Sequence, residues 1–180
     1  MKSKNINPCV FLARSAVEFF IKEGKRIDPP ASLPKDFFEK KSGVFVTLET
    51  QDKKLRGCIG TYLPTEKNIA EEIISNAISA ATKDYRFGEV KESELEKLCY
   101  TVSILMEPIQ AKSLDELDVK KLGVIVKTKD GRSGLLLPDI ESVDTAEKQV
   151  SIAAQKGGID LTTDEIFLYK FRVKKHGEKD

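Results

Sequence analysis

Leu55-Arg56-Gly57-Cys58-Ile59-Gly60-Thr61 is the stretch on which the reading of this chain turns. It follows an apolar run, Val44 to Leu48, and a polar turn, Gln51-Asp52-Lys53-Lys54. Leu55 to Tyr62 therefore reads as the antiparallel partner of the strand that starts at Gly43. A buried helix is expected next, beginning near Thr65 with that residue as its cap. In a strand, alternation puts Arg56, Cys58, Gly60 and Tyr62 on one face. Leu55, Gly57, Ile59 and Thr61 take the other, which is the core side.

The chemistry of the stretch follows from that alternation. Arg56 and Cys58 lie about 7 Å apart along the strand, within reach of a flexible guanidinium. A fixed cation beside a thiol favours the thiolate, so Cys58 reads as a nucleophile or covalent carrier and Arg56 as its stabiliser. Gly57 and Gly60 lack a Cβ, which permits a bulge or the close approach of a ligand or another backbone. Thr61 is a supporting hydroxyl. Asp84-Tyr85-Arg86-Phe87 forms a second constellation in the loop that leaves the buried helix. There Asp84 can orient Arg86 or Arg56 through a charge-assisted hydrogen bond, or simply close the helix end as an ion pair. The single histidine, His176, stands five residues from the end, so no general base is evident for Cys58. A non-catalytic alternative stays open: a binding or adaptor domain in which the glycines admit a partner and Cys58 is buried.

Working outward, Asn7-Pro8 starts a first helix that Gly24 stops. Pro29, Pro30 and Pro34 interrupt regular structure, and Lys35 to Lys41 forms one helical turn anchored by Phe37 and Phe38. Ile69, Ile73, Ala77 and Ala80 make an apolar stripe on the helix after the central stretch, with Ala70, Ile74, Ile78 and Ala81 beside it. Glu66, Glu71 and Glu72 lie near its positive end. Glu92 to Leu98 is a short helix and Tyr100 to Met106 a strand. Leu122 to Lys127 and Ser133 to Leu137 flank an Asp130-Gly131 turn, a hairpin signal. Asp144 and Glu147 read as a capping box for a helix that ends at Gly157-Gly158. Ile166 to Val173 is the last strand, and Lys174 to Asp180 a charged tail. Helices and hairpins are interspersed without a βαβ fingerprint, which gives an α+β fold with a mainly antiparallel sheet.

Composition narrows the function classes. The 180 residues suit one domain or two closely packed lobes. Thirty basic and 29 acidic residues leave a net charge of +1, which argues against nucleic-acid binding by bulk electrostatics. No apolar run approaches the roughly 18 residues a membrane span needs, and no signal peptide follows the basic start, Met1 to Asn5. The cytoplasm is the expected compartment. Cys9, Cys58 and Cys99 are odd in number, widely separated and not in CxxC pairs, so neither a disulfide framework nor a zinc site is expected, and no cofactor is evident.

Leu55-Arg56-Gly57-Cys58-Ile59-Gly60 resembles the six-residue signature of the AMMECR domain family. Gly43 to Leu48, Ala80-Ala81, Asp84, Arg86-Phe87, Val102 to Leu105, Gly134 to Pro138 and Gln149 to Ile159 fit the same family, so the likeness spans nearly the whole chain. The resemblance implies an α+β architecture with two unequal lobes and a cleft, a functional site at the signature, and a biochemical activity that is undefined. It also implies a microbial partnership with a Memo-like protein and a radical S-adenosylmethionine enzyme, sometimes fused. This chain lacks the CxxxCxxC cluster ligands of a radical enzyme and is too short to contain either partner, so such a partnership is between chains.

Overall fold

The computed structural model describes residues 7–178. Met1 to Asn5 of the basic start, and Lys179 and Asp180 of the expected tail, lie outside the described residues. The chain divides into two compact units, one running to Ile104 and resuming at Lys175, the other covering Leu105–Lys174.

The first unit is a sheet covered by helices. Helix α1, Pro8–Glu23, begins where the Asn7 side chain accepts the Cys9 N–H at 3.0 Å, and it ends at Gly24, whose φ of 67° is the left-handed turn glycine adopts freely. A single turn, α2 (Asp36–Glu39), precedes β1, Val44–Thr50, and β2, Leu55–Thr61. Helix α3, Ile69–Thr82, and a 3-10 turn at Glu92–Lys97 lead to β3, Leu98–Leu105. The sheet order is β2-β1-β3-β8, where β8 is Val173–His176, so β2 lies at an edge. Both ladders made by β1 are antiparallel. Helix α3 packs on β1 and β2, and α1 packs on α3. The expected stripe is the core: Ile73 and Ala77 have no exposed surface and Ile69 has 8%. Val44, Val46 and Leu48 face it from β1.

The second unit repeats the logic with other elements. Strands β4 (Ile109–Ala111), β5 (Gly123–Thr128), β6 (Ser133–Leu136) and β7 (Ile166–Phe171) form a sheet of order β4-β7-β5-β6, antiparallel throughout. Helix α4, Ala146–Lys156, covers β5 and β6 and closes a core of Val124, Val126, Leu136, Val150, Ala153 and Ala154. The Asp130-Gly131 turn joins β5 to β6 as expected, with Gly131 at φ 91°. The architecture is α+β with two antiparallel sheets.

Five local expectations are corrected. Thr65 does not cap α3. Asn68 does, its side chain accepting the Glu71 N–H at 3.0 Å, while Thr65 turns its own N–H and hydroxyl to Glu72. The cap of α4 is Thr145, which accepts from Lys148, rather than Asp144. Ile166 to Val173 is not one strand: β7 ends at Phe171, and β8 begins at Val173 in the other sheet. The charged tail therefore includes strand, and its Glu178 accepts hydrogen bonds from Arg14 and from the Tyr100 N–H. Finally, β4 lies in the segment after Pro108, where no strand is expected from sequence.

Candidate functional site

The central stretch forms β2, and β2 departs from simple alternation. Leu48 of β1 faces Gly57, whereas Glu49 faces Leu55, so Arg56 is the extra residue of a β-bulge. The bulge interrupts the alternation that put Arg56 and Cys58 on one face. Beyond it the pattern holds. Gly57 is buried against α3, Ile59 packs on the same core, and Thr61 meets α3 through Glu72.

Cys58 sits half-buried opposite Thr47 of β1, and its Sγ lies 3.3 Å from the Thr47 Oγ1. As β2 is an edge strand, the Cys58 peptide has no strand on its outer side. Asp84 and Arg86 take that place. The Cys58 N–H donates to Asp84 Oδ2 at 2.8 Å, and Arg86 Nη2 reaches the Cys58 carbonyl at 3.5 Å. The two side chains are joined to each other by a fork, Nε to Oδ1 at 2.9 Å and Nη2 to Oδ2 at 2.7 Å, with the Arg86 N–H adding a third bond to Oδ1 at 3.2 Å. The Asp84 side chain is 3% exposed and that of Arg86 47%. The Arg86 hydrogen bonds hold the Asp84 carboxyl far below the usual carboxylate range; burial opposes this, and the Cys58 and Arg86 N–H groups reinforce it. Asp84 thus orients Arg86, not Arg56.

Arg56 is engaged elsewhere. Its Nε and Nη2 hold Glu94 at 2.7 and 3.0 Å, and Nη1 and Nη2 donate to the carbonyls of Gly88 and Glu89 at 2.9 and 3.2 Å. Arg56 pulls Glu94 below its usual range against the opposing effect of burial. Arg56 is thus a clamp between the bulge, the loop after Arg86 and the 3-10 turn. Glu94 was not singled out from sequence, since nothing local marks a carboxylate 38 residues away as a partner.

The glycines serve close approach within the chain. A Cβ on Gly57 would stand 2.2 Å from the Ala80 carbonyl oxygen of α3, and one on Gly60 would stand 2.2 Å from the Phe45 ring. Thr61 belongs to a buried polar cluster. Its hydroxyl donates to Glu72, a carboxylate with no exposed surface that also accepts from the Thr65 N–H, the Glu66 N–H, the Thr65 hydroxyl and Asn76. Burial alone would raise the Glu72 pKa, but the bonds from Thr61, Glu66 and Thr65 outweigh it and hold the group below its ordinary value. This cluster fixes the passage from β2 to α3, and only the net position of Glu72 near the helix start was visible in sequence. The residues the structure brings together around Cys58 are therefore Thr47, Asp84 and Arg86; Arg56, Gly57, Gly60 and Thr61 frame them. Thr47 is the residue missed, although its position in a β1 half-buried opposite Cys58 is implicit in the hairpin register. Among the described residues no cluster of His, Cys, Asp and Glu is placed to hold a metal ion, and no helix is long and apolar enough to cross a membrane.

Comparison with known proteins gives the family and the fold. The AMMECR1 family model matches residues 10–176. A protein of Thermotoga maritima is 48% identical over 170 residues, covering 94% of this chain and 97% of its own length. One from Methanosarcina mazei is 35% identical, covering 95% of this chain and 91% of its own. A Clostridium acetobutylicum relative is 42% identical over 98% of this chain, which spans only 37% of that longer protein. The crystal structure of an uncharacterized protein from Pyrococcus horikoshii superposes with a TM-score of 0.82 at 34% identity, over 93% of this chain and 88% of that one. Across both units, the chain belongs to the AMMECR1 family.

Proposed function

We propose that the protein is a cysteine-dependent enzyme or the thiol-bearing component of a modification system, with Cys58 as its reacting group. The observation that carries this reading is the fixed placement of Cys58 at a strand edge. Its N–H is held by a buried carboxylate, its sulfur touches a hydroxyl, and a half-exposed guanidinium lies at its carbonyl. Such an arrangement positions a thiol with little conformational freedom left to lose, which is what a reacting group requires. Docking of a partner at Gly57 and Gly60 gains no support, since the space beside each is occupied by Ala80 and by Phe45.

A reducing, cytoplasmic setting suits three cysteines of which none is in a disulfide. The Memo-like protein and the radical S-adenosylmethionine enzyme implied by the sequence resemblance are the partners we propose. The long Clostridium relative, of which this chain covers 37%, is consistent with a module that works beside further polypeptide.

The test is the order in which the cysteines of the folded protein react with a neutral alkylating agent, iodoacetamide, read by peptide mass spectrometry. Cys58 is expected to react first and Cys9, at 3% exposure, last. A Cys58 as slow as Cys9 would count for the adaptor reading instead.

A further inference from the structure

We infer that Arg86 is a carboxylate-binding group beside Cys58, so that the substrate reacting at this thiol carries a carboxylate near its electrophilic carbon. The inference rests on the thiol chemistry proposed above and adds the substrate class.

Two arginines flank Cys58, and their saturation differs. Every guanidinium nitrogen of Arg56 has a partner, and its side chain is 15% exposed. Arg86 commits Nε and Nη2 to Asp84 and the Cys58 carbonyl, while Nη1 has no hydrogen-bond partner among the described residues and the side chain is 47% exposed. A guanidinium carries five N–H donors in a rigid plane, so an unfilled nitrogen on a held guanidinium is a directional donor pair. The guanidinium is held by the Asp84 fork and lies beside the Phe87 ring, with the ring centroid 5.5 Å from Cζ, and the Arg86 backbone N–H fixes the Asp84 carboxylate in turn. The pair with Asp84 does not cancel this role. Asp84 lies behind, at 3% exposure, so an approaching anion meets the positive end of the pair first. Rotamer freedom has already been lost to Asp84, which removes part of the ordering cost of binding. Nη2 is 3.5 Å from the Cys58 carbonyl, so a carboxylate taken up by the neighbouring Nη1 would lie beside the same residue.

Iodoacetate and iodoacetamide test this, since they share a leaving group and differ by a carboxylate against an amide. The quantity is the iodoacetate-to-iodoacetamide rate ratio at Cys58, mapped by mass spectrometry, in the folded protein and in the urea-unfolded chain at the same pH. The folded ratio is expected to exceed the unfolded ratio by about fivefold, the scale of a partly exposed ion pair. Arg86→Lys keeps a charge for Asp84 but loses the planar edge, and should bring the ratio to within about twofold of the unfolded value. The wild-type comparison stands without the variant, should the variant fail to fold. A Cys58 that reacts readily with iodoacetamide but shows the unfolded ratio overturns the substrate class and leaves the thiol reading intact. A Cys58 inert to both reagents overturns the thiol reading, and this inference with it.

Discussion

Arg56 holds Glu94 through Nε and Nη2, holds the Gly88 and Glu89 carbonyls as well, and touches no atom of Cys58 in any described hydrogen bond. Arg56→Ala should therefore lower stability by about 2 kcal/mol, through lost charge-assisted bonds and carbonyls left short of donors. The iodoacetamide rate at Cys58 in the folded state should stay within about twofold of wild type. Urea unfolding curves beside alkylation kinetics check both halves. A large change in rate with no change in stability would return Arg56 to the chemistry. Asp84 makes a pH-dependent contribution. Its folded pKa is depressed, first by Arg86, so its stabilisation is present above the unfolded aspartate value of about 3.9 and is lost as pH falls through the folded one. Asp84→Asn should cost about 2–3 kcal/mol near neutrality, and the gap to wild type should narrow below about pH 4. Parallel pH–stability curves for the two proteins would contradict the assignment. At this scale the sequence was legible in part. Cys58, Asp84 and Arg86 could be named, because a thiol between glycines and a charged loop after a buried helix are local patterns. The exchange of roles between the arginines could not, because it depends on a bulge at Arg56 and on a carboxylate brought in from the 3-10 turn.

At the scale of elements, Gly57 sets how closely β2 lies on α3. Gly57→Ala places a methyl 2.2 Å from the Ala80 carbonyl oxygen, and neither backbone can yield without parting strand from helix. The expected cost is about 1–3 kcal/mol, the range of overpacked cores, measured as a lowered denaturant midpoint. A variant as stable as wild type would show that β2 shifts freely at its edge. Hydrophobic stripes and turn residues made most elements readable: α1 from Asn7-Pro8 and Gly24, α3 from its apolar face, the β5–β6 hairpin from Asp130-Gly131. Caps were harder. Thr65 and Asn68 are both good caps by residue type, and the choice was made by Glu72, a buried carboxylate that draws Thr65 away. Ile166 to Val173 has no turn residue and so reads as one continuous strand, yet the chain changes sheets at Arg172.

At the scale of the molecule, register explains why the cysteines stand apart. Cys58 faces Thr47 and Cys99 faces Glu49 on the far side of β1, so their Cα atoms are roughly 12 Å apart, well beyond the span of a disulfide. Mass mapping under non-reducing conditions should find all three cysteines unbridged in the native protein; a stoichiometric Cys58–Cys99 bridge would require the sheet to rearrange. The α+β class with antiparallel sheets was legible from the mixture of helices and hairpins. Two lobes were among the expectations, but the place where the chain divides was not legible, because both units use the same strand and helix patterns and the chain crosses between them within single strand-like runs. Whether this fold presents Cys58 for chemistry is read from the second-order rate constant of Cys58 with iodoacetamide in the folded protein, divided by that in the urea-unfolded chain. A ratio of one or more is predicted; a ratio at or below about one tenth, equal to that of buried Cys9, would contradict it.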